Sequence, residues 1–421
     1  MYQPFTIDPR YHDAVLFALC GPDTEESRRT LVQRVLDAGI KVDVTETPPD
    51  VTETPSAEKA AALEACRRLG VDPGRSVVVT ASAAEVEAAR RAGFAVVVGV
   101  DQTGHPDGLL AAGADVVVPD LACIDVRTGD RRMPQLPNAL DSYGQLIGVI
   151  AGRRLFVCLD YDGTLSEIVS DPDSAELVAE AADALQHLAE HCPVAILSGR
   201  DLADIRDRVG IPGLWYAGSH GFELIGPDES HHQNDAAAAA VPVLETAATE
   251  LREDLAWIPG ARVEHKRFAI AVHYRNVAAE HIADVVATVH RYGHHHGLRV
   301  TGGRKVVELR PNIDWDKGTA LHWITSRISG SEQSALPLYI GDDLTDEDAF
   351  DAIRFTGIGI VVRHDEDGGR PTAASFTLGS PAQVAEFLRR GASWLAYQQK
   401  VSNEAWTYTF EGYDPRASAK S

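Results

Sequence analysis

The fold class is decided by residues 155–166, which run Leu155-Phe156-Val157-Cys158-Leu159-Asp160-Tyr161-Asp162-Gly163-Thr164-Leu165-Ser166. Five apolar residues end abruptly in two carboxylates, Asp160 and Asp162, and a Gly-Thr turn follows at once. A short apolar run bounded by a turn signal predicts a fully buried strand of a parallel sheet. Ligands of open α/β sheets bind in the crevice beyond the carboxyl ends of the strands. We therefore expect both carboxylates to face one such crevice.

Two neighbouring acids are unfavourable unless a cation or a proton offsets their charge, so the stretch predicts a metal-dependent carboxylate site. An EF-hand needs a further ligand before its glycine, and flanking helices; here Gly163 directly follows Asp162 and a strand precedes it. A Rossmann or P-loop site needs a glycine-rich phosphate cradle, which the sequence lacks. A purely structural turn is the alternative, but it would not require a buried strand aimed at two acids.

The composition is that of a globular protein. A length of 421 residues predicts two or three domains, with 44% hydrophobic and 24% charged residues. The net charge of −23 argues against a nucleic-acid partner. No signal-peptide pattern opens the chain, and its longest uncharged apolar stretch is too short to cross a bilayer, so we expect a cytoplasmic protein without a membrane partner.

The five scattered cysteines indicate neither a disulfide framework nor a zinc site: Cys20, Cys66, Cys123, Cys158 and Cys192.

Strands alternate with helices along most of the chain, which predicts parallel α/β sheets. We expect one such domain in residues 1–135 (the first block), and a linker with a docking helix in residues 127–145. A second domain is expected in residues 145–221 and 304–400 (the core), with Val306 to Leu309 as one of its strands. Between them, strands grouped around helices in residues 222–303 predict an α+β insertion.

The order Asp160-x-Asp162-Gly163-Thr164, Ser198, Lys317 and Gly341-Asp342-Asp343-x-x-Asp346 resembles the four motifs of the haloacid dehalogenase superfamily. The resemblance implies phosphoryl transfer with Mg²⁺ as the cofactor. Asp160 is then the nucleophile, Asp162 the general acid and base, and Ser198 and Lys317 hold the phosphate. The implied metal ligands are Asp160, the backbone carbonyl of Asp162, and Asp342. Three further residues are expected to support this site: Thr164, Asp343 and Asp346.

Within that superfamily, residues 145–395 resemble the trehalose-6-phosphate phosphatases, through Gly218-Ser219-His220-Gly221, Glu264-x-Lys266, His273-Tyr274-Arg275 and Val307-Glu308-Leu309-Arg310-Pro311. The insertion then corresponds to a cap that recognises the sugar distal to the phosphate. The resemblance implies that the following residues contact the substrate in addition to Asp160 and Asp162: Tyr161, Gly199, Arg200, His220, Gly221, Glu264, Lys266, Arg275 and Glu308. The cap histidines His231-His232 and His294-His295-His296 are expected in solvated loops, not at a metal.

The first block resembles a haloacid dehalogenase-type domain that has lost its chemistry, because Ala18 and Cys20 stand where the two acids would be. A structural or regulatory role, including self-association, is then expected for it. Three alternatives to a trehalose-6-phosphate phosphatase stay open. They are a phosphatase of the same fold acting on another sugar such as sucrose phosphate, a phosphomutase, and a binding protein with a vestigial active site.

Overall fold

The computed structural model describes residues 2, 4–18, 25–44, 55–169, 174–303, 305–329, 334–364 and 369–411. The chain forms two compact units. The first comprises Met1–Arg132, Asn234–Asp314 and Gly369–Thr372, and the second comprises Met133–Gln233, Trp315–Gly368 and Ala373–Ser421. No helix among the described residues is long and apolar enough to cross a membrane.

The described strands, numbered in chain order, fall into five sheets. They are Phe5–Ile7 (β1), Ala14–Ala18 (β2), Lys41–Val44 (β3), Ser76–Thr80 (β4), Val96–Val100 (β5), Val116–Val118 (β6), Ile124–Val126 (β7), Arg131–Arg132 (β8), Leu155–Leu159 (β9), Val194–Leu197 (β10), Trp215–Gly218 (β11), Glu223–Ile225 (β12), His231–Gln233 (β13), Arg262–Lys266 (β14), Ala269–His273 (β15), Leu298–Gly303 (β16), Val306–Pro311 (β17), Leu336–Gly341 (β18), Ile358–Val362 (β19), Pro371–Thr372 (β20) and Phe376–Leu378 (β21).

The described helices cover the faces of these sheets. They are Glu25–Asp37 (α1), Pro55–Leu69 (α2), Ala83–Arg91 (α3), Asp107–Ala111 (α4), Tyr143–Ile150 (α5), Ala179–Ala189 (α6), Leu202–Val209 (α7), Asp235–Leu255 (α8), Ala279–His296 (α9), Lys317–Ile328 (α10), Glu347–Ile353 (α11) and Pro381–Glu411 (α12).

The first block is built on a five-stranded parallel sheet of order β3-β2-β4-β5-β6. Successive residues of β2 pack into different cores, with Val15 and Phe17 on one face and Ala14 and Leu16 on the other. A parallel sheet buried on both faces produces such continuous apolar strands, and the predicted α/β alternation is confirmed here. Strand β2 ends at Ala18, and Cys20 lies outside the described residues.

A buried neutral histidine stabilises the turn that precedes this sheet. The Nδ1 atom of His12 accepts a hydrogen bond of 3.0 Å from the backbone N–H of Asp8. Burial, reinforced by the charge of Arg75, lowers the pKa of His12 to about 4, although the carboxylates of Asp8 and Asp13 act in the opposite direction. In the unfolded chain, a histidine takes up its proton near pH 6.5.

This pKa difference predicts a loss of stability in acid. Below pH 6.5 His12 is protonated in the unfolded chain, whereas in the folded protein it stays neutral down to about pH 4. The free energy of unfolding therefore falls as the pH drops from 6.5 to 4. The contribution of His12 is roughly 3 kcal/mol at most. His12→Asn keeps an acceptor for the Asp8 N–H but cannot titrate. Urea denaturation at pH 7.5 and pH 4.5 is expected to show a smaller pH effect in the variant than in the wild type; equal effects would contradict the assignment.

The cap is a four-stranded antiparallel sheet of order β14-β15-β17-β16, with α8 and α9 packed on one face. The prediction of Val306 to Leu309 as a core strand is wrong, because β17 pairs with β15 and β16. A short apolar run predicts a strand but does not identify its partner. The start of the insertion also moves, because β12 and β13, placed by prediction after residue 222, extend the core sheet.

Two histidine clusters lie in regular elements and not in the predicted loops. His231 and His232 lie in β13, and His294, His295 and His296 form the last turn of α9. The helix ends at Gly297, which has φ +64°. The helix therefore includes the predicted loop histidines and is terminated by a residue that tolerates left-handed backbone.

The cap and the first block contact each other within the first unit. Helix α9 packs against α3 so closely that a Cβ added at Gly93 would lie 3.0 Å from the Cα of Ala283. Beside this contact, Arg90 Nη1 lies 3.1 Å from His290 Nδ1. Arg90 also pairs with Asp115 of the first block.

The core is an eight-stranded sheet of order β13-β12-β11-β10-β9-β18-β19-β21. It is parallel from β11 to β21, with β12 and β13 as an antiparallel edge. The chain passes from β9 to β10 on one side, and β18 lies on the other side. The carboxyl end of β9 is thus the switch point of the sheet, where such folds bind ligands. Helix α5, at the end of the predicted linker, packs Leu146 and Ile150 into the same core as β9.

Candidate active site

Asp160 follows β9 and keeps the register of the sheet for one more residue. Its backbone N–H donates a hydrogen bond of 2.9 Å to the carbonyl of Ile340 in β18. The chain then turns at Gly163, which has φ +72°. A Cβ on Gly163 would lie 2.2 Å from Oδ2 of Asp342, so only glycine lets this turn approach the end of β18. The turn brings the Asp160 and Asp342 loops together.

A buried ion-pair network joins three of the predicted motifs. Lys317, only 2% exposed, lies 3.0 Å from Oδ1 of Asp160 and 2.6 Å from Oδ1 of Asp346. Burial opposes the charge of Lys317, but the two carboxylates outweigh it and raise its pKa. Burial and the acids around it raise the pKa of Asp160 despite the lysine. Lys317 is therefore not a solvated surface lysine.

Asp346 serves the network as an orienting group. Its Oδ1 accepts hydrogen bonds from Lys317 and from the hydroxyl of Tyr339, each 2.6 Å long. Its Oδ2 accepts hydrogen bonds from the backbone N–H groups of Asp342 and Asp343, each 2.9 Å long. Four hydrogen bonds leave Asp346 no lone pair directed at a metal, which agrees with the supporting role expected for it.

The acids at the ends of β9 and β18 fit a hard divalent cation. Carboxylate oxygens of Asp160, Asp342 and Asp346 lie within 4.8 Å of one another, and all three residues are buried. Because Asp346 is saturated, Asp160 and Asp342 are the two carboxylates that can bind an ion directly. An all-oxygen donor set of this kind suits Mg²⁺.

Ser198 and its neighbours form the adjacent wall at the end of β10. The buried Ser198 hydroxyl accepts the backbone N–H of Arg200 at 3.2 Å. The buried His220 has φ +58°, and its ring occupies the space beside Gly199, where a Cβ would lie 2.8 Å from the imidazole. Gly221 has φ +90°, and a Cβ there would lie 2.3 Å from that of Ala320.

The guanidinium of Arg200 is hydrogen-bonded to Asp162, the predicted general acid. Its Nε and Nη2 donate to Oδ2 and Oδ1 of Asp162 at 2.8 and 2.7 Å, and its Nη1 donates to Asp204 at 2.9 Å. Both carboxylate oxygens of Asp162 are therefore engaged, so Arg200 must turn away before Asp162 can transfer a proton. The sequence did not indicate this pair, because 38 residues separate its members.

Tyr161, expected to contact the substrate, lies in the turn between Asp160 and Asp162. Its side chain is fully buried, and its hydroxyl donates to the carbonyl of Ala175 at 3.3 Å. Only its backbone can face a ligand. The loop also holds Thr164, whose buried hydroxyl has no hydrogen-bond partner among the described residues.

His364 is a site residue that the sequence reasoning missed. Its Nε2 lies 3.0 Å from the carbonyl oxygen of Gly163 and 3.4 Å from Oδ2 of Asp342. It follows β19, two strands from β9 in the sheet. A lone histidine after an apolar strand carries no sequence signal of its own, although its place at a carboxyl end of the sheet could have suggested it.

The cap residues lie together on the sheet face that the helices leave uncovered. Glu264, Ala271, Glu308 and Thr301 occupy one row across four strands. The small side chain of Ala271 separates the two carboxylates. Lys266 Nζ lies 3.6 Å from Glu308 Oε1, and Glu264 pairs with His273 at 2.7 Å; the bond from His273 is the main cause that lowers the pKa of Glu264.

Two further cap residues are Thr301 and Arg275. Thr301 was not predicted as a site residue, but it lies beside Glu308 in the row. Its buried hydroxyl has no hydrogen-bond partner among the described residues. Arg275 lies outside the row, exposed in the turn that follows β15. The row and Lys266 will be called the polar face of the cap.

The parallel core sheet, with carboxylates, a lysine and a serine at the carboxyl ends of its strands, defines a phosphatase of the haloacid dehalogenase type. A family model described as trehalose-phosphatase matches residues 158–382. The chain belongs to the trehalose-phosphatase family.

Relatives that align with more than nine-tenths of the chain are named as trehalose-phosphate phosphatases. A "Trehalose-phosphate phosphatase" of Mycobacterium tuberculosis (strain ATCC 25618 / H37Rv) is 54% identical over 393 residues, which cover 93% of this chain and 97% of that protein. A protein of the same name from Mycobacterium leprae (strain TN) is 51% identical, covering 94% of this chain and 100% of that protein. An alignment of 393 residues is longer than the part of the chain after Arg132, so the first block is shared with the M. tuberculosis relative.

Solved structures resemble more than half of the chain. The C-terminal domain of a Candida albicans trehalose-6-phosphate phosphatase has a TM-score of 0.51 and 22% identity, and covers 61% of this chain and 98% of that chain. A "trehalose-6-phosphate phosphatase related protein" has a TM-score of 0.51 and 22% identity, covering 58% of this chain and 99% of that chain. At this identity the likeness establishes the fold alone.

Proposed function

We propose that the chain is a magnesium-dependent phosphatase that hydrolyses trehalose 6-phosphate to trehalose and phosphate, the last step of trehalose biosynthesis. The observation that carries the proposal is Lys317, buried between Asp160 and Asp346 at the switch point of the core sheet. The names and high identity of the full-length relatives support the substrate.

Asp160 acts first, as the nucleophile. One of its carboxylate oxygens bonds to phosphorus while the bond from phosphorus to the sugar oxygen breaks. Asp162, released from Arg200, donates a proton to the departing oxygen, so trehalose leaves as a neutral alcohol. Lys317 and the Ser198 hydroxyl hold the phosphate oxygens in line with Asp160 during this transfer.

Water completes the reaction. It loses a proton to Asp162 as its oxygen bonds to phosphorus, and the bond to the Asp160 oxygen breaks. Inorganic phosphate leaves, Asp160 is again a carboxylate and Asp162 again carries a proton. Arg200, freed from its pair with Asp162, is placed to receive the anionic phosphate, because its guanidinium can bind two oxygens at once.

Asp160, Asp342 and the backbone carbonyl of Asp162 are the proposed ligands of Mg²⁺, with Asp343, Asp346 and Thr164 as supporting groups. When bound, the ion offsets the negative charge shared by the phosphate and the nucleophile. The two carboxylates that can bind an ion directly support this assignment. His364 holds the Gly163 carbonyl and Asp342 in position relative to one another.

The polar face of the cap is proposed to bind the hydroxyl groups of the sugar that carries no phosphate. Neutral sugars are discriminated by buried hydrogen-bonding groups, which are left unpaired by the wrong ligand. Glu264, Lys266 and Glu308 supply these groups, with Thr301 as a further donor or acceptor. His220, Gly221, Gly199, Arg275 and the Tyr161 backbone are proposed as additional contacts.

A panel of sugar phosphates tests the substrate. Phosphate release from trehalose 6-phosphate is expected to exceed release from sucrose 6-phosphate and glucose 6-phosphate by at least tenfold in kcat/KM. The margin corresponds to about 1.4 kcal/mol of differential transition-state binding. Equal rates across the panel would overturn the trehalose assignment. An isomerised sugar phosphate without free phosphate would instead identify a phosphomutase.

Glu308→Gln separates sugar recognition from chemistry. Glu308 pairs with Lys266 and Arg310, so loss of its charge disturbs the polar face. We expect KM for trehalose 6-phosphate to rise roughly tenfold or more, while hydrolysis of p-nitrophenyl phosphate, which has no second sugar, is unchanged. Glu280→Gln, an exposed acid of α9, is the matched control and should alter neither. Equal losses of activity on both substrates would show that Glu308 supports the fold of the enzyme and does not recognise the sugar.

The first block is proposed to act on the enzyme through the cap, by regulation or self-association. Its support is the close contact of α3 with α9 and the presence of the block in the M. tuberculosis relative.

A cytoplasmic location is part of the proposal. The described cysteines Cys66, Cys123, Cys158 and Cys192 are free thiols, as expected in a reducing compartment.

A further inference from the structure

A second group of metal ligands lies on the surface of the core, at the end of α6. His187 lies in the last turn of α6, which ends at Ala189, and His191 lies in the turn that follows the helix. A ring nitrogen of each histidine and a carboxylate oxygen of Glu190 lie within 4.8 Å of one another. The two imidazole rings are 5.2 Å apart between centroids. His187 and Glu190 are exposed, so a dissolved ion can reach them.

Gln399 of α12 selects the tautomer of the neutral His191 ring. The amide Nε2 of Gln399 donates to the carbonyl oxygen of His191 at 3.3 Å, which directs its Oε1 to His191 Nδ1 at 2.8 Å. An amide oxygen only accepts, so Nδ1 must carry the proton. In the neutral imidazole the lone pair then lies on Nε2, and within the described part of the chain that atom has no hydrogen-bond partner.

This arrangement is the one that metal-binding histidines need. A ligating histidine usually donates its other ring N–H to an acceptor, which fixes its tautomer and orientation. Ligand atoms around tetrahedral Zn²⁺ are about 3.4 Å apart, given metal–ligand distances near 2.0 Å. The exposed side chains of His187 and Glu190 need only small rotations to reach that spacing. The ion would also lie at the carboxyl end of α6, where a positive charge is favoured.

We propose that His187, Glu190 and His191 form a binding site for a borderline transition-metal ion such as Zn²⁺, separate from the oxygen-only site at β9. Two imidazoles and one carboxylate bind the ion, and water fills the open position. The donor set disfavours Mg²⁺, which prefers oxygen ligands. Because Gln399 belongs to α12, the bound ion ties the end of α6 to that helix.

Zinc titration of the full chain tests the site. Excess Mg²⁺ is kept present so that the carboxylates at β9 are occupied, and Zn²⁺ binding is followed by calorimetry. The wild type is expected to bind one Zn²⁺ that His187→Ala no longer binds. Gln399→Ala should weaken that binding about tenfold to a hundredfold, because the supporting hydrogen bond is lost. His295→Ala, from the cluster in α9, is the control and should bind Zn²⁺ as the wild type does.

Two results would overturn the proposal. One is equal stoichiometry and affinity in the wild type and His187→Ala; the other is loss of binding in His295→Ala with retention in His187→Ala. Circular dichroism establishes that His187→Ala is folded, as expected for an exposed residue. Electron paramagnetic resonance with Cu²⁺ gives an independent readout: coupling to two imidazole nitrogens is expected in the wild type, and to one in His187→Ala.

Discussion

Asp160→Asn is expected to reduce turnover of trehalose 6-phosphate by roughly 10⁴-fold or more. The amide cannot act as the nucleophile, so no covalent intermediate forms. Asp160 is buried and paired with Lys317 at 3.0 Å, and Asn retains the shape and an acceptor oxygen. Substrate binding should therefore persist. The result would show as a lost kcat with a measurable dissociation constant.

Phosphate release and calorimetric binding together check this expectation. Glu167→Gln is the matched control, because it removes an equal charge from an exposed position in the same loop region. The control should keep full activity. An Asp160→Asn protein with more than about one hundredth of wild-type turnover would contradict the covalent mechanism, since nucleophile loss is worth several powers of ten.

Lys317→Met is expected to lower the free energy of unfolding by about 3–5 kcal/mol and to abolish turnover. Removing the ammonium leaves Asp160 and Asp346 buried without the cation that both contact. Mg²⁺ offsets part of this charge when it binds. The loss of stability should therefore be smaller in Mg²⁺ than in a chelator, a difference that a neutral cavity would not produce.

Urea denaturation of Lys317→Met with and without Mg²⁺ measures both effects. Lys400→Met removes a lysine from an exposed position of the same unit, so its stability should match the wild type in both buffers. If Lys317→Met were as stable as this control, the buried pairing at the end of β9 would be wrong.

Local sequence patterns predicted the secondary structure of the core with few errors. The strand β9 has the predicted bounds, because it is a short apolar run bounded by turn residues. Strand pairing was harder to predict. The strand that begins at Val306 belongs to the cap because it pairs with β15 and β16, a relation that an apolar pattern does not encode.

The site was predictable where residue type and spacing are informative. Asp160 and Asp162 were indicated by two acids after an apolar run, and the remaining motifs by resemblance. Arg200 and His364 show the limit. The pairing of Arg200 with Asp162, and the contact of His364 with Gly163, depend on chain segments brought together only by the sheet. Such partners are determined by tertiary structure and not by local pattern.

Rapid-quench analysis with trehalose 6-[³²P]phosphate tests the central claim most directly. The protein is stopped in acid at successive times, digested, and searched for a labelled residue. Label is expected on Asp160 and should decay as free phosphate appears, whereas Asp160→Asn, which lacks the nucleophile, should carry no label. Label on any other residue, or phosphate release with no labelled protein at any time, would contradict it.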